Sequence, residues 1–312
     1  MNDPVWDPAA LRTQLGALTT EEFRPDLADV DTRPTLDIAR AMNAGDRAVP
    51  DAVAAQLPRI AAAVDAIAPR MARGGRLVYA GAGTAGRLGV LDASECPPTF
   101  NADPSQVVGL IAGGPDALVR SVEGAEDSVD LAHGDLKALG LTPDDTVVGV
   151  SASGRTPYAV GAVRYARDAG ALTVGLACNA DSELAAAADL AIEVVVGAEF
   201  ISGSTRLKAG TAQKLVLNMI STITMIRLGK TYGNLMVDVR ATNAKLRARS
   251  HRIVAQATGA ADEEIARALE ATGGEVKHAI LVLLAGVDAP TAARLLVEHH
   301  GHLRAALAAA AP

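Results

Sequence analysis

The chain of 312 residues is 49% hydrophobic and 21% charged, a composition that supports a sizeable buried core and excludes disorder as its overall state. Its formal net charge of -7 argues against a general binder of nucleic acid or of anionic membranes. A local site for an anionic small molecule is compatible with this charge.

The cysteines and the apolar runs bear on location and on metal binding. Cys96 and Cys178 are too few for a disulfide framework and lack metal-ligand spacing. The N-terminus has no basic segment of a signal peptide, and no apolar run reaches the roughly 18 residues that a membrane span needs. These features predict a soluble, cytoplasmic protein with no metal site, no membrane association and no nucleic-acid partner.

Strands and helices alternate in the predicted secondary structure. Residues 1–45 indicate an irregular arm with one short helix near 35–42, and the periodicity of 50–72 predicts a helix. Five short apolar runs predict strands, at 76–80, 107–112, 146–150, 172–177 and 190–196. Helical patterns between and after them cover 87–92, 116–139 with a break, 157–169, 182–188 and the long apolar segment 208–228.

This alternation predicts an α/β fold, a doubly wound sheet of five parallel strands with ligands at their carboxyl ends. Residues 240–312 are helical in pattern, which predicts a small C-terminal domain of three helices. We therefore expect an N-terminal arm at 1–45, a main domain at 46–239 and a helical domain at 240–312. The long apolar helix at 208–228 is a candidate packing or dimer element.

A glycine turn follows the first strand. Gly81-Ala82-Gly83-Thr84-Ala85-Gly86 has the spacing of a dinucleotide-binding turn. Such a site needs an acidic residue at the end of the second strand, and Leu110-Ile111-Ala112-Gly113-Gly114 contains none. Arg87, at the predicted start of a helix, favours a simpler anion. Four residues of this segment are candidate binding residues: Gly83, Thr84, Gly86 and Arg87.

A hydroxyl-rich turn follows the third strand. The serines and threonine of Ser151-Ala152-Ser153-Gly154-Arg155-Thr156 can surround a phosphate together with backbone N–H groups. Alternatively, Ser153 or Thr156 caps the next helix. Three hydroxyls on one turn, beside a second glycine turn, favour the phosphate, with Ser151, Ser153, Arg155 and Thr156 as binding residues.

Two glutamates stand near turns. Pro97-Pro98 predict that the helix stops beside Glu95, which would then be a solvated loop residue. Glu126 lies between two helical stretches, where an acid that favours a helix N-terminus is the alternative to a catalytic one.

A third acid, Glu199, precedes a polar turn that contains Ser204 and leads to Lys208. This turn either closes a sugar site or caps the long helix. The histidines of the C-terminal region, among them His278 and His299, show no acidic pattern that would indicate a metal site.

The segment from Gly81 to Thr99 closely resembles the signature of the N-acetylmuramic acid 6-phosphate etherases. The resemblance continues through 122–128, 151–158, 199–214 and 233–239 and covers about residues 19–305. It implies a sugar isomerase-type domain that binds sugar phosphates, a small helical domain, a homodimer and no cofactor. The family is related to the glucokinase regulatory proteins, which bind sugar phosphates without turning them over.

The resemblance implies release of D-lactate from the C3 ether of a sugar 6-phosphate, in the recycling of cell-wall amino sugars. Glu126 matches the residue that removes the C2 proton, and Glu95 matches the one that protonates the lactate oxygen and later deprotonates water. As an acid, Glu95 needs a raised pKa, which burial or a nearby carboxylate would supply. The phosphate is expected between the turns at 84–86 and 151–156, and Glu199, Ser204 and Lys208 are further substrate-binding residues by the same resemblance.

One position departs from the family pattern. Ala85 stands where the family turn usually has serine, which removes one hydroxyl worth about 1 kcal/mol as a neutral hydrogen bond. Two alternatives stay open: a non-catalytic sugar-phosphate sensor, which needs the hydroxyls but neither Glu95 nor Glu126, and an aldose–ketose isomerase, which also uses a base at C2.

Overall fold

The computed structural model describes residues 15–16, 18–239 and 244–311. Its main sheet has five parallel strands in the order β2-β1-β3-β4-β5. The predicted doubly wound α/β fold is therefore confirmed. The strands are β1 Leu77–Gly81, β2 Val107–Ile111, β3 Thr146–Ser151, β4 Leu172–Ala177 and β5 Leu190–Glu193.

The order of the strands creates a crevice between β1 and β3. The chain places β2 on one side of β1 and then crosses to place β3 on the other side, with Gly81 opposite Val150. The loops that leave β1 and β3 thus start next to each other and run to opposite sides. In doubly wound sheets this reversal is where ligands bind.

Contacts divide the chain into two compact units, residues 1–92 with 108–220 and residues 93–107 with 221–312. The predicted domain boundaries stay a prediction. Short 3₁₀ turns of the first unit lie at Thr19–Glu21, Pro25–Leu27, Val30–Thr32 and Pro115–Leu118. Its helices are α1 Thr35–Asp46, α2 Ala48–Ala54, α3 Leu57–Ala72, α5 Val129–Leu139, α6 Pro157–Asp168 and α7 Glu183–Ala187, while α4 Gly83–Phe100 and α8 Lys208–Arg227 contribute residues to both units.

Two helices differ from the prediction because of proline. The helix expected over 50–72 is interrupted at Ala55 and Gln56, since Pro58 cannot donate to a preceding carbonyl and instead stands in the first turn of α3. The prediction that Pro97 and Pro98 stop the helix beside Glu95 is wrong. Helix α4 continues to Phe100, since the fixed φ of proline is helical and the two hydrogen bonds that Pro97 and Pro98 cannot donate are lost only near the end of the helix.

The core of the first unit is aliphatic, as the composition predicts. All residues of β1, β3 and β4 are buried, in agreement with a parallel sheet covered by helices on both faces. On one face the buried side chains of β1 and β3 pack with residues of α5 and α6: Val78, Ala80, Val147, Ala132, Leu136, Tyr158 and Ala162.

The second unit contains a short hairpin and five helices in its described part. The hairpin pairs β6 Thr231–Tyr232 with β7 Leu235–Met236. The helical character of the C-terminal region is confirmed, but the helices are five where three were predicted, because Gly286 ends one in a left-handed conformation and His299–His302 separate the last two. They are α9 Ala244–Thr258, α10 Asp262–Ala271, α11 Val276–Ala285, α12 Ala289–Glu298 and α13 Leu303–Ala310.

Over the described residues, no single helix has both the length and the apolar character to cross a membrane. Only α11 and α12 taken together, with a bend of 108° between them, meet those two criteria.

Candidate active site

A cavity of about 560 Å³ lies at the carboxyl ends of β1 and β3, and we call it the main cavity. Several of the predicted site residues line this cavity, although their motifs lie tens of residues apart in the sequence. The predicted site residues that line it are Gly83, Thr84, Glu126, Ser151, Ser153, Arg155 and Thr156.

Three hydroxyls of the turn after β3 form one connected group, which we call the hydroxyl cluster (Ser151, Ser153 and Thr156). The buried Ser151 Oγ lies 2.7 Å from Thr156 Oγ1 and 3.2 Å from Ser153 Oγ. It also accepts a hydrogen bond of 3.0 Å from the N–H of Gly154. Thr156 stands at the N-cap of α6, yet its side chain makes no capping hydrogen bond. The capping alternative for Thr156 is therefore wrong, and the hydroxyls face the cavity as a preorganised group.

The glycine turn after β1 supplies backbone rather than side chains. Helix α4 begins at Gly83, whose φ of +52° favours glycine, and Gly83, Thr84 and Ala85 line the main cavity. The first N–H groups of a helix and its dipole favour an anion there. Gly86 has a different role, since a Cβ on it would lie 2.6 Å from the Gly81 carbonyl oxygen. It allows helix and strand to approach closely and is absent from the cavity wall.

Glu126 lies on an exposed turn at the wall of the main cavity. Its carbonyl oxygen accepts a hydrogen bond of 3.0 Å from the N–H of Tyr158 at the start of α6. Two residues later Ser128 caps α5 by accepting from the N–H of Leu131 at 3.2 Å. Glu126 thus precedes the helix cap, and the alternative of a helix N-terminal acid does not describe it. The two helices hold the turn while the carboxylate is free to meet a ligand.

The buried Tyr158 strengthens this arrangement. Its hydroxyl donates to Asp135 of α5 at 2.6 Å. Burial raises the pKa of Tyr158, and the hydrogen bond to Asp135 raises it further, so the hydroxyl stays a donor at all physiological pH values. The turn that carries Glu126 is therefore bonded to two helices that a hydrogen bond joins to each other.

Arg87 lines a second, smaller cavity of about 160 Å³, which we call the side cavity. It shares Ala82, Gly83 and Glu126 with the main cavity. Arg87 Nε donates to the Leu118 carbonyl at 3.0 Å, and the exposed Arg120 adds a second guanidinium. The structure thus separates Arg87 from the hydroxyl cluster, although the sequence places it directly after the glycine turn.

Glu95 lies on the surface of helix α4 and is absent from the walls of both cavities. Glu95 is exposed in the single chain, so the burial expected of it is not present there.

The polar turn before α8 serves the helix. The buried Glu199 accepts hydrogen bonds from the N–H groups of Lys208 and Ala209, at 3.0 and 2.9 Å. Lys208 Nζ donates to the Val196 carbonyl at 2.7 Å; burial lowers the pKa of Lys208, and Glu199 opposes the change. The helix-capping alternative holds for Glu199. Glu199, Lys208 and Ser204 do not line either of the two cavities, and their contact with substrate stays a prediction.

Several residues of the main cavity were not predicted. Thr205 and Gln213 line it from the turn before α8 and from α8 itself, and Leu18 and Glu21 line it from the N-terminal arm. The arm is attached by a hydrogen bond of 3.1 Å from the Gly203 N–H to the Thr20 carbonyl. No sequence signal indicates this attachment, and Gln213, between Thr211 and Lys214, does not stand out in the sequence of the helix either.

No group of three or more His, Cys, Asp or Glu side chains suited to a metal ion occurs in the ranges that the structure describes.

Comparison with known proteins places the chain in a class and then in a family. Residues 59–167 match the family model "Glucokinase regulatory protein N-terminal SIS domain", and residues 124–223 match "SIS domain". Fold, cavity and family models together define an SIS-domain protein.

Relatives over nearly the full length are more specific. An N-acetylmuramic acid 6-phosphate etherase from Streptomyces avermitilis is 78% identical over 301 residues, which are 96% of this chain and 97% of that protein. Etherases of the same name from Rubrobacter xylanophilus and Serratia proteamaculans are 60% and 57% identical, each over 94% of this chain and over 97% and 99% of their own lengths. The chain belongs to the N-acetylmuramic acid 6-phosphate etherase family.

Proposed function

We propose that the chain is a carbon–oxygen lyase that cleaves the D-lactyl ether of N-acetylmuramic acid 6-phosphate to N-acetylglucosamine 6-phosphate and D-lactate. The observation that carries the proposal is Glu126, a carboxylate on the wall of the same cavity as the hydroxyl cluster. The names of the relatives, at up to 78% identity, agree with it.

The phosphate binds between the hydroxyl cluster and the N-terminus of α4. Hydroxyls and backbone N–H groups then meet its charge without a lysine. The phosphate is remote from the ether bond, so its binding energy can hold the open-chain sugar in position for the reaction.

The chemistry requires two acid–base groups. Opening of the sugar ring gives an aldehyde at C1, which acidifies the C2 proton, and Glu126 removes that proton. Glu95 protonates the oxygen at C3 as the C3–O bond to lactate breaks, which leaves an unsaturated aldehyde. Glu95 then takes a proton from water as the water oxygen adds to C3, and a proton returns to C2. In the net reaction, the substrate and one water molecule are converted to the amino-sugar phosphate and lactate.

We assign Glu95 to the site of a second copy of the chain. Glu95 lies one helical turn from Leu91, on the same face of α4, and Leu91 is 53% exposed although it is apolar. On α8 two isoleucines one turn apart, Ile223 and Ile226, are also exposed. A homodimer interface that covers Leu91 would also bury Glu95 on the same helix face, and burial raises the pKa of a carboxyl group as an acid catalyst needs.

The side cavity suits the lactyl group. Its guanidiniums, from Arg87 and Arg120, are the residue type that binds carboxylates in a planar, paired geometry. Because Glu126 borders both cavities, a sugar with C2 near Glu126 and its phosphate at the hydroxyl cluster has its C3 substituent beside the side cavity.

The decisive experiment is incubation of the protein with N-acetylmuramic acid 6-phosphate and assay of D-lactate. We expect release of D-lactate together with N-acetylglucosamine 6-phosphate. A protein that binds the sugar phosphate but releases no lactate would instead be a regulator of the glucokinase regulatory type. Conversion of glucose 6-phosphate, which has a hydroxyl at C2, to the ketose without release of lactate from the etherified substrate would indicate the isomerase.

A further inference from the structure

Gln213 is a buried amide without a hydrogen-bond partner on the wall of the main cavity. It is 1% exposed, and neither its Nε2 nor its Oε1 has a partner within the described part of the chain. Buried polar side chains almost always have partners, because an unpaired one keeps the full cost of leaving water. An unpaired donor and an unpaired acceptor on one cavity wall therefore indicate a ligand group.

The hydrogen-bonding capacity of the amide limits which chemical groups of a ligand can pair with it. Oε1 accepts only, so it requires a donor, and a phosphate dianion offers none. The hydroxyl cluster and the N-terminus of α4 already provide the donors that a phosphate needs. What Gln213 fits is a neutral group that offers both N–H and C=O.

We propose that Gln213 recognises the 2-acetamido group of the substrate and makes the site selective for N-acetylated amino sugars. This inference rests on the proposed function, since the acetamido group is the neutral amide of that substrate. One atom of the Gln213 amide pairs with the acetamido N–H or C=O, and its other atom faces a sugar hydroxyl. The acetamido group is bonded to C2, so the contact also fixes the atom from which the proton is removed.

The proposed contact with the ligand explains why residue 213 of α8 is polar although it is buried. Its neighbours Ala212, Val216 and Leu217 are buried and apolar. An apolar side chain at position 213 would pack there without an unpaired polar group, so the free protein carries a cost that a bound amide removes.

The test compares ligand binding with stability in a near-isosteric variant, Gln213→Met. Titration calorimetry measures the affinities of N-acetylglucosamine 6-phosphate and glucose 6-phosphate, which differ at C2. We expect the variant to bind the acetylated sugar about tenfold more weakly, as two lost neutral hydrogen bonds imply, and glucose 6-phosphate, which loses only the contact to a hydroxyl, about threefold more weakly. The free energy of unfolding without ligand should be unchanged or higher, because the removed amide had no partner.

Thr224→Val is the matched control. Thr224 is on the same helix and is buried, and its hydroxyl has no hydrogen-bond partner among the described residues, but it lines neither cavity. Its substitution should likewise preserve stability and should leave both affinities unchanged.

Three results would overturn the proposal: equal weakening for both sugars, no weakening for either, or a destabilised free Gln213→Met protein, which would reveal an internal partner of the amide. The proposed function fails separately. If the wild-type protein prefers the acetylated sugar but releases no D-lactate, the proposed role of Gln213 stands and the proposed lyase activity is contradicted.

Discussion

At the scale of single residues, Ser151 organises the phosphate end of the cavity. Its buried hydroxyl lies between those of Ser153 and Thr156 and accepts from the Gly154 N–H, so it fixes the shape of the turn. Ser153 is only half-buried and lines the main cavity. Ser151 is therefore a structural member of the cluster, and Ser153 is the hydroxyl placed for direct contact.

We predict that Ser153→Ala weakens binding of any sugar 6-phosphate about 10- to 100-fold, the effect of one hydrogen bond to a charged group. The fold should be little affected, since the substitution removes only two long hydrogen bonds of 3.2 Å, one from the Arg155 N–H and one with Ser151 Oγ. Calorimetric titration with N-acetylglucosamine 6-phosphate measures the change. The control is Ser105→Ala, at an exposed serine far from the turn in sequence, which should bind like the wild type. An unchanged affinity of Ser153→Ala would refute the phosphate site.

The residue types at turns predicted several residues of the cavity wall but missed those that the helices contribute. The hydroxyl cluster and Glu126 were found because each follows a strand or precedes a helix, where the topology of a parallel sheet puts them at one edge. Glu199 satisfied the same rule and proved to cap α8, because a carboxylate before a helix suits either role. Gln213 could not be found, since within a helix only the three-dimensional packing distinguishes a cavity wall from a core.

At the scale of elements, the contact of α4 with β1 and β2 sets the position of the anion-binding helix N-terminus. Gly86 permits this contact, because a Cβ there would lie 2.6 Å from the Gly81 carbonyl oxygen and 2.7 Å from Ile111 Cγ1. Gly134 of α5 is also helical but is exposed, and a Cβ on it would meet no atom within 4 Å.

Substitution by alanine should therefore change the free energy of unfolding in opposite directions at these two glycines. Gly134→Ala should raise the free energy of unfolding by about 1 kcal/mol, the difference in helix propensity. Gly86→Ala should lower it, because an overpacking cost of about 1–3 kcal/mol opposes that gain and backbone atoms cannot move aside cheaply. Denaturant unfolding measures both variants. A stabilised Gly86→Ala protein would mean that α4 does not depend on this close contact.

The positions and the parallel arrangement of the strands were predictable, and the ends of helices were less so. Five apolar runs predicted the five strands because parallel strands are largely buried: β1, β3 and β4 along their whole length, and the edge strands β2 and β5 in part. Pro97 and Pro98 misled the prediction, since proline disfavours a helix interior but is compatible with helical φ near a helix end. In the C-terminal region, the break at His299–His302 carries no proline and only one glycine, so two helices had merged into one.

At the scale of the whole molecule, the account depends on a second copy of the chain. Glu126 lines the main cavity of its own chain, whereas Glu95 is exposed beside apolar Leu91 on α4. In a two-fold symmetric dimer each site would combine Glu126 of one copy with Glu95 of the other. The sequence could name both glutamates from the family signature, but it could not say from which copy each one acts.

Mixing two inactive variants tests this arrangement directly. Glu95→Gln and Glu126→Gln should each lower the rate of D-lactate release about 10²- to 10⁴-fold, the loss of one acid–base group. After dissociation and reassociation together, half of the dimers should be mixed, and one of the two sites in each mixed dimer should carry both glutamates. D-lactate release should then recover to about a quarter of the wild-type rate. Release as low as from the separate variants, although mixed dimers have formed, would contradict a shared site, and full release by either variant alone would contradict its catalytic role.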